Sequence, residues 1–266
     1  MYSAISTHTH YSLLRGFSKP AELADVAQQL GIQSIALTDF DTVSGAVDFV
    51  QSCAKKKIKA ILGTKLFISD HDGYVTCLAQ NEDGWRELIA LSTESHQNKP
   101  VGVSFERLKQ TKYLIVLSGE PDSTLCHAIL DKKIAYLSKT PHLYEDYFLR
   151  ADADTKVDNL LSEYAQAFGT RFYVSLFRSD GVDAGIDNII ADRLRASADK
   201  AGIKCCAANY SFYTNKADAA DHRLLICSHN KIVWTELNDF TQNEQHAGLA
   251  RFVHSDNYYL LSDLQM

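Results

Sequence analysis

Two histidines two residues apart, His8 and His10, follow a short apolar-alternating opening, Met1-Tyr2-Ser3-Ala4-Ile5-Ser6, that reads as a first β-strand. Side chains alternate along a strand with a period of two, so the spacing places both imidazoles on one face at the strand end. Such a pair can ligate a metal ion. A bare His-x-His is also common by chance, and alone it reads first as a polar strand end. The acidic run Asp152-Ala153-Asp154, with Asp158 beyond it, could bind a cation, but a solvated loop and helix start is the simpler reading. Cys205-Cys206 falls on a strand, which sends one thiol to each face and favours packing over reactivity. Lys55-Lys56-Lys57 sits where cations suit a helix C-terminus. Asp221-His222 opens a helix and reads as a capping or structural pair. The chain has no Gly-rich phosphate loop of Walker or Rossmann spacing, and no Ser-His-Asp arrangement can be argued from it.

Strand-like and helix-like segments alternate from the start, the pattern of a parallel sheet with crossover helices. Ser18 can cap a helix with Pro20 in its first turn, Leu23, Val26 and Leu30 on its apolar face and Gly31 at its end. Ile32 to Thr38 reads as a buried strand. A helix from Ser44 is expected to carry Val47, Val50 and Ala54 inward. Ile58–Ile68 and Tyr74–Ala79 read as strands around the turn Asp70-His71-Asp72-Gly73. Asp83–Ser95 reads as a helix with Trp85, Leu88, Ile89 and Leu91 on its inner side, and Val101–Lys109 as a loop with a short helix. Strands are expected at Tyr113–Leu117, Arg171–Phe177 and Ile203–Ala208. Helices are expected around Leu125–Leu130, at Thr155–Phe168, at Ala184–Ala201 (Ile186, Ile189, Ile190 and Leu194 on one side) and from Lys216 to about Ser228. The tail from Lys231 is irregular, with Asn257-Tyr258-Tyr259-Leu260 a possible edge strand.

A chain of 266 residues suits an α/β barrel, and with 45% apolar and 23% charged residues it reads as a soluble globular protein. The net charge of −6 gives no global basic signature for nucleic acid. No apolar run approaches the ~18–20 residues of a membrane helix, and the amino terminus lacks a signal-peptide pattern. The cysteines at 53, 77, 126, 205, 206 and 227 include no Cys-x-x-Cys, which suggests reduced thiols and a cytoplasmic home. No Pro/Gly/Ser-rich linker interrupts the chain, so residues 1–266 read as one domain with an irregular tail at 231–266. These features alone leave a barrel and an open doubly wound sheet both possible.

The context of His8 and His10 narrows this. Tyr11-Ser12-Leu13-Leu14-Arg15-Gly16 after the histidines resembles the first motif of the polymerase-and-histidinol-phosphatase (PHP) domain, the amino-terminal domain of bacterial C-family replicative DNA polymerases (DNA polymerase III α subunits). The resemblance continues through Ile35–Phe40, Ser44–Phe49, Ile58–Gly63, Leu114–Gly119, Phe168–Tyr173, Ala207–Asn209 and Asp221–Ile226, in the family's order and over nearly the whole chain. It implies a distorted seven-stranded parallel (β/α)7 barrel, PHP- or TIM-like, with its cleft at the C-terminal strand ends.

Active members of this family hold a cluster of metal ions with His, Asp, Glu and Cys and hydrolyse phosphate esters. An ungapped match through Tyr11-Ser12-Leu13-Leu14 puts the first motif histidine on Ser6 and the second on His8; a shifted register would pair His8 with His10 but needs a deletion. Asp39 matches a ligand, whereas its neighbour is Phe40. The ligand glutamate falls on Lys65 and the next strand's histidine on Tyr74. A cysteine position becomes Glu120, which could still bind a hard cation. The final Asp-x-His falls on Tyr210 and Phe212. In this register only His8 and Asp39 remain. Closely spaced cations need most of their ligands to be held, so the pattern implies a lapsed metal site, with His8, His10, Asp39 and Glu120 as remnant cleft positions.

The expectation is therefore no catalytic residues and no cofactor, the alternative being zinc, manganese or iron ions. The corresponding function is a structural and partner-binding module in DNA replication. It would dock a proofreading exonuclease subunit or other replisome protein, brace the polymerase core in cis, touch DNA only indirectly and not engage a membrane. The alternatives are an active metal-dependent phosphoesterase or 3′–5′ exonuclease of the same fold, and a stand-alone, mobile-element-encoded protein. Asp152 to Asp158 and the tail after Lys231 are the candidate docking segments.

Overall fold

The computed structural model describes residues 2–98, 102–130, 150–178, 184–236 and 255–266. Seven strands follow one another in sequence order around a single sheet: β1 (Ser3–Ala4), β2 (Ser34–Leu37), β3 (Lys59–Ile68), β4 (Gly73–Ala79), β5 (Leu114–Ser118), β6 (Phe172–Phe177) and β7 (Cys205–Ala208). Among the described residues the helices around them are α1 (Pro20–Gln29), α2 (Ala46–Lys55), α3 (Glu82–Gln97), α4 (Phe105–Lys109), α5 (Thr124–Ile129), α6 (Ala153–Phe168), α7 (Ala184–Ala201) and α8 (Ala219–Asn230). The sheet nearly closes on itself. Thr7 bridges Ser211 in parallel, with His8 N donating to Ser211 O (2.9 Å) and Ser211 N to Ser6 O (3.1 Å). The result is a mostly parallel α/β barrel, the architecture that the family resemblance implies and that the sequence pattern alone leaves open against an open sheet.

One strand departs from the parallel expectation. β4 pairs antiparallel with both β3 and β5. The short turn from Ser69 to Asp72 forces it, because a tight hairpin can join only antiparallel strands. The antiparallel direction puts the beginning of β4, and so Tyr74, at the rim where the other strands end.

Helix faces also differ in places. α2 buries Ala46, Phe49 and Cys53, while Val47 is 66% and Val50 is 41% exposed. Both stripes have the same helical spacing and differ by one residue of rotation; the larger Phe49 takes the core side. Ile89 faces solvent while Leu88 and Leu91 of α3 are buried. On α7, Ile190 and Leu194 are buried and Ile189 half-buried, and the side chain of Ile186 lies outside those described. Ser18 does not cap α1. It bridges Thr9 and accepts from His10 N (2.8 Å), and Lys19 takes the cap position with Glu22 accepting from its backbone N (3.2 Å).

The main apolar layer lies between β3–β6 and α3–α7, and a second one joins β1–β3 to α1 and α2. Cys205 packs on the outer layer and Cys206 inside the barrel with Ala36, Leu78 and Leu117, so the vicinal thiols do face opposite sides. The tail segment is not an edge strand. Tyr258 and Leu260 are buried, Tyr258 O accepts from Phe212 N (2.8 Å), and Tyr259 bridges Tyr213.

Candidate functional site

The rim at the C-terminal ends of β1, β2, β3, β5 and β7 gathers most of the positions singled out in the sequence, but not as a ligand sphere. Lys65, near the end of β3, is 1% exposed. Its ammonium pairs with Glu120 Oε2 and lies 2.6 Å from Asp122 Oδ1. It also lies 4.1 Å from the centroid of the Tyr210 ring and 5.4 Å from that of Phe40. Thr76 Oγ1 donates to Glu120 Oε2 (3.4 Å) and Tyr210 OH to Asp122 Oδ2 (2.7 Å). Burial pushes the Asp122 carboxyl up, but the Lys65 ammonium and the Tyr210 hydroxyl outweigh it and hold the group at about 2. Breaking such a buried pair from one side costs about 3–5 kcal/mol.

His8 is wholly buried beside this cluster. Its Nδ1 lies 2.7 Å from Thr38 O, which can only accept, so Nδ1 carries the proton and Nε2 presents a lone pair. Nε2 has no hydrogen-bond partner among the described residues. The rings of Phe40 (4.7 Å), Phe212 (4.7 Å) and Tyr210 (5.3 Å) surround it. Burial, then the positive charge of Lys65, lowers its pKa to about 3.

Asp39 does not face the cluster with a spare oxygen. Oδ1 accepts from Thr9 N (2.6 Å) and Ser12 Oγ (2.5 Å), and Oδ2 accepts from Thr9 Oγ1 (2.7 Å). Burial pushes this carboxyl up, against those hydrogen bonds. Its carboxylate ties down the turn from Thr9 to Gly16. His10 is exposed with its ring tilted against Tyr11 (4.5 Å), so the expectation that His8 and His10 share a face does not hold. β1 ends at Ala4, and beyond it the chain makes only isolated bridges at Thr7 and Thr9 before turning. Ser6 is buried at the barrel seam, its hydroxyl without a hydrogen-bond partner among the described residues.

Aromatic rings cover the rim. Phe40 meets Tyr74 edge-on at 5.1 Å, Tyr210 meets Phe212 at 4.7 Å, and Tyr258 lies 6.3 Å from both Tyr210 and Phe212. Arg15 lies across the top, its guanidinium carbon 4.5 Å from the Phe40 centroid and Nη1 donating to Tyr74 OH (3.2 Å). The sequence reading missed both Arg15 and Asp122 as parts of this site. A signal for Asp122 was present: Glu120-Pro121-Asp122 places two acids astride a turn-forming proline directly after β5.

The acidic segment from Asp152 to Asp158 is the start of α6, and its charges are matched: Lys156 pairs with Asp152 (2.9 Å), Arg193 with Asp154 (3.2 Å) and Lys200 with Asp158 (2.6 Å). Residues 237–254 of the tail lie outside the described residues.

The PHP domain pattern matches residues 5–179, about two thirds of the chain. The chain belongs to the PHP domain family. Among relatives of this PHP domain, the DNA polymerase III subunit alpha of Campylobacter jejuni is 28% identical over 239 residues, covering 85% of this chain and 19% of that protein. That of Treponema pallidum is 24% identical over 275 aligned positions, covering 98% and 21%. That of Buchnera aphidicola (subsp. Schizaphis graminum) is 30% identical over 155 residues, covering 54% and 13%. The chain thus spans about a fifth or less of the length of the curated relatives it matches. Among solved structures, an amidohydrolase from Chromobacterium violaceum superposes with a TM-score of 0.46 at 14% identity, covering 78% of this chain and 86% of that one.

The residues at the rim of this PHP domain do not fit a hydrolytic metal cluster. Among the described residues no group of three or more His, Cys, Asp or Glu could hold a metal ion. The carboxylates of Glu120 and Asp122 are already engaged by an ammonium, Asp39 is committed to the Thr9–Gly16 turn, and Phe40, Tyr74, Tyr210 and Phe212 line the rim with aromatic rings.

Proposed function

We propose that this PHP domain serves a bacterial DNA polymerase III α subunit as a structural and partner-binding module in replication, its hydrolytic metal site lapsed. The observation that carries this reading is the Lys65 ammonium at the barrel rim, paired with Glu120 and Asp122 beneath a cover of aromatic rings. A buried positive charge there opposes bound cations and leaves no carboxylate to position a metal-activated water. The polymerase homology supports a cytoplasmic replication setting, and no helix among the described residues is long and apolar enough to cross a membrane. The partner is a proofreading exonuclease subunit or other replisome protein, with the polymerase core braced in cis and DNA touched only indirectly. A barrel that has lost hydrolysis leaves proofreading to a second chain and can act as its mount. The ion pairing of Asp154 and Asp158 with α7 makes the start of α6 a poor docking segment.

The test is elemental analysis of the chain purified without chelator, together with hydrolysis assays on phosphomonoesters and on DNA 3′ ends. Substoichiometric metal and no hydrolysis are expected; two or more zinc, iron or manganese ions per chain would overturn the lapsed-site reading. Calorimetry with the proofreading exonuclease from the same source tests docking. Absence of a complex at tens of micromolar, about −6 kcal/mol or weaker, would leave bracing of the polymerase core as the role.

A further inference from the structure

Helix α2 carries two apolar stripes, and the barrel uses one of them. Ala46, Phe49 and Cys53 are buried in the inner layer, whereas Val47, Val50 and Ala54 are exposed, with Gln51 exposed among them. Positions 47, 50, 51 and 54 follow the i, i+3, i+4, i+7 spacing of a single helix face, so they form one continuous outer surface. Apolar side chains gathered in this way gain by being covered. One flank of the outer stripe is charged in a fixed order. Asp48 and Lys55 are both exposed and lie seven residues apart, which puts them two helical turns from each other on the same edge of the stripe. Tyr11, whose ring packs over Gly45, donates from its hydroxyl to Asp48 Oδ2 (2.5 Å) and holds that carboxylate at the N-terminal end of the helix. At the other end Lys56 turns away to pair with Asp25 of α1.

We propose that this outer face of α2 is the contact surface for a second copy of the chain, the two α2 helices packing antiparallel about a two-fold axis beside Gln51. The face is complementary to itself in that arrangement. A two-fold axis perpendicular to the helices keeps each flank on its own side and reverses the order along it, so Asp48 of one copy meets Lys55 of the other, and the pair occurs twice. A parallel pair would put the two charged flanks on opposite sides of the contact, where they cannot meet. Val47 of each copy falls beside Ala54 of the other, a larger side chain against a small one that lets the helix axes approach. Gln51 meets its own copy, where two carboxamides can exchange hydrogen bonds, and the opposed helix dipoles add to the attraction. The helix has 10 residues, a length of about 15 Å. The contact is therefore smaller than the ~1,200–2,000 Å2 of stable interfaces, and the dimer is weak and concentration-dependent. Neither the barrel rim nor its charge cluster takes part.

Sedimentation velocity of the native chain from about 5 μM to about 1 mM, a range that reaches millimolar dissociation constants, is the experiment. The sedimentation coefficient should rise with concentration toward that of a dimer. Val50→Lys should keep the melting temperature measured at low concentration and weaken the dimer about tenfold or more. Asp48→Lys and Lys55→Asp each set two like-charged pairs across the contact, and each should weaken it about tenfold. The double variant Asp48→Lys/Lys55→Asp restores opposite charges and should return association to within about threefold of native. Self-association through α2 is overturned if the native chain stays monomeric throughout, if Val50→Lys associates as the native chain does, or if the double variant is no better than the single ones. A native chain that is monomeric alone, but whose complex with the proofreading exonuclease is weakened by Val50→Lys, would give the face to that partner and overturn it as well.

Discussion

Replacing Phe212 by histidine restores the residue type that metal-bearing PHP domains use at the matching position, and in this barrel it should do harm. Phe212 is 3% exposed. Its ring lies 4.7 Å from both His8 and Tyr210, 5.5 Å from His222 and 6.3 Å from Tyr258. Exchanging benzene for imidazole there forfeits about 2 kcal/mol of apolar burial. It also buries polar ring nitrogens among aromatic faces, which costs a further ~1–3 kcal/mol if one goes unpaired. A sum of about 3–5 kcal/mol in a chain of this size corresponds to a drop in unfolding midpoint of about 5–9 °C. Circular dichroism melts of the native chain and Phe212→His, each with and without zinc, measure it. A neutral variant would show that the ring cover does not stabilise the barrel. Full recovery with zinc would show that a single substitution restores a metal site, contrary to the charge argument at Lys65.

Acid should weaken the fold well above the carboxylate range. Burial lowers His222 to about 4, although its Nε2 donates to Arg15 O at 2.8 Å. The folded value lies below the unfolded one, so between about 6.5 and 4 the unfolded chain takes up the proton and stability falls as pH falls. At pH 5 this group alone should cost about 2 kcal/mol relative to pH 7, at about 1.4 kcal/mol per pH unit below 6.5; His8 adds to the slope in the same direction. His222→Gln should therefore flatten the dependence of unfolding midpoint on pH, and an unchanged slope would refute the assignment. Asp39→Ala should cost about 3 kcal/mol, from several charge-assisted hydrogen bonds lost together. Amide exchange should then accelerate first at Thr9 and Tyr11, and uniform acceleration along the chain would count against Asp39 as the anchor of that turn. Val47→Lys and Val50→Lys should each change stability by less than about 0.5 kcal/mol, since both face solvent; a loss above about 1 kcal/mol in either would place the buried face of α2 wrongly.

Periodicity carried the strands and helices well because each reports a local pattern. It failed where two patterns fit equally, as at α2, where the stripes Val47/Val50/Ala54 and Ala46/Phe49/Cys53 differ only in which one the sheet accepts. The direction of β4 was missed because alternation along a strand says nothing about its neighbours. At the site, the family match assigned Lys65, Tyr74, Tyr210 and Phe212 to ligand positions, but residue types alone did not say what these side chains would touch. Glu120 looked like a replacement that could still bind a hard cation; its pairing with Lys65 joins residues 55 apart and is visible only in three dimensions. Asp39 looked like a remnant ligand, and its partners Thr9 and Ser12 lie on a different strand end. Tyr258 read as edge and proved to be core because an irregular tail carries no periodic signal of what it covers.

The seam between Thr7 and Ser211 has a kinetic consequence. Closing a loop of about 200 residues costs roughly 5 kcal/mol of chain entropy, and neither side of the seam gains anything until the other is present. β1 is two residues long and pairs laterally with β2 alone, so it cannot nucleate assembly by itself. Early compaction should begin with sequence-adjacent pairs such as the β3–β4 hairpin, with the seam and the Tyr258 plug completing last. During synthesis the first motif, including His8, thus stays unsealed until the final third of the barrel has emerged from the ribosome. A stalled or nicked chain lacking that third would expose the apolar interior along both open flanks, an open sheet edge ready to pair with another copy.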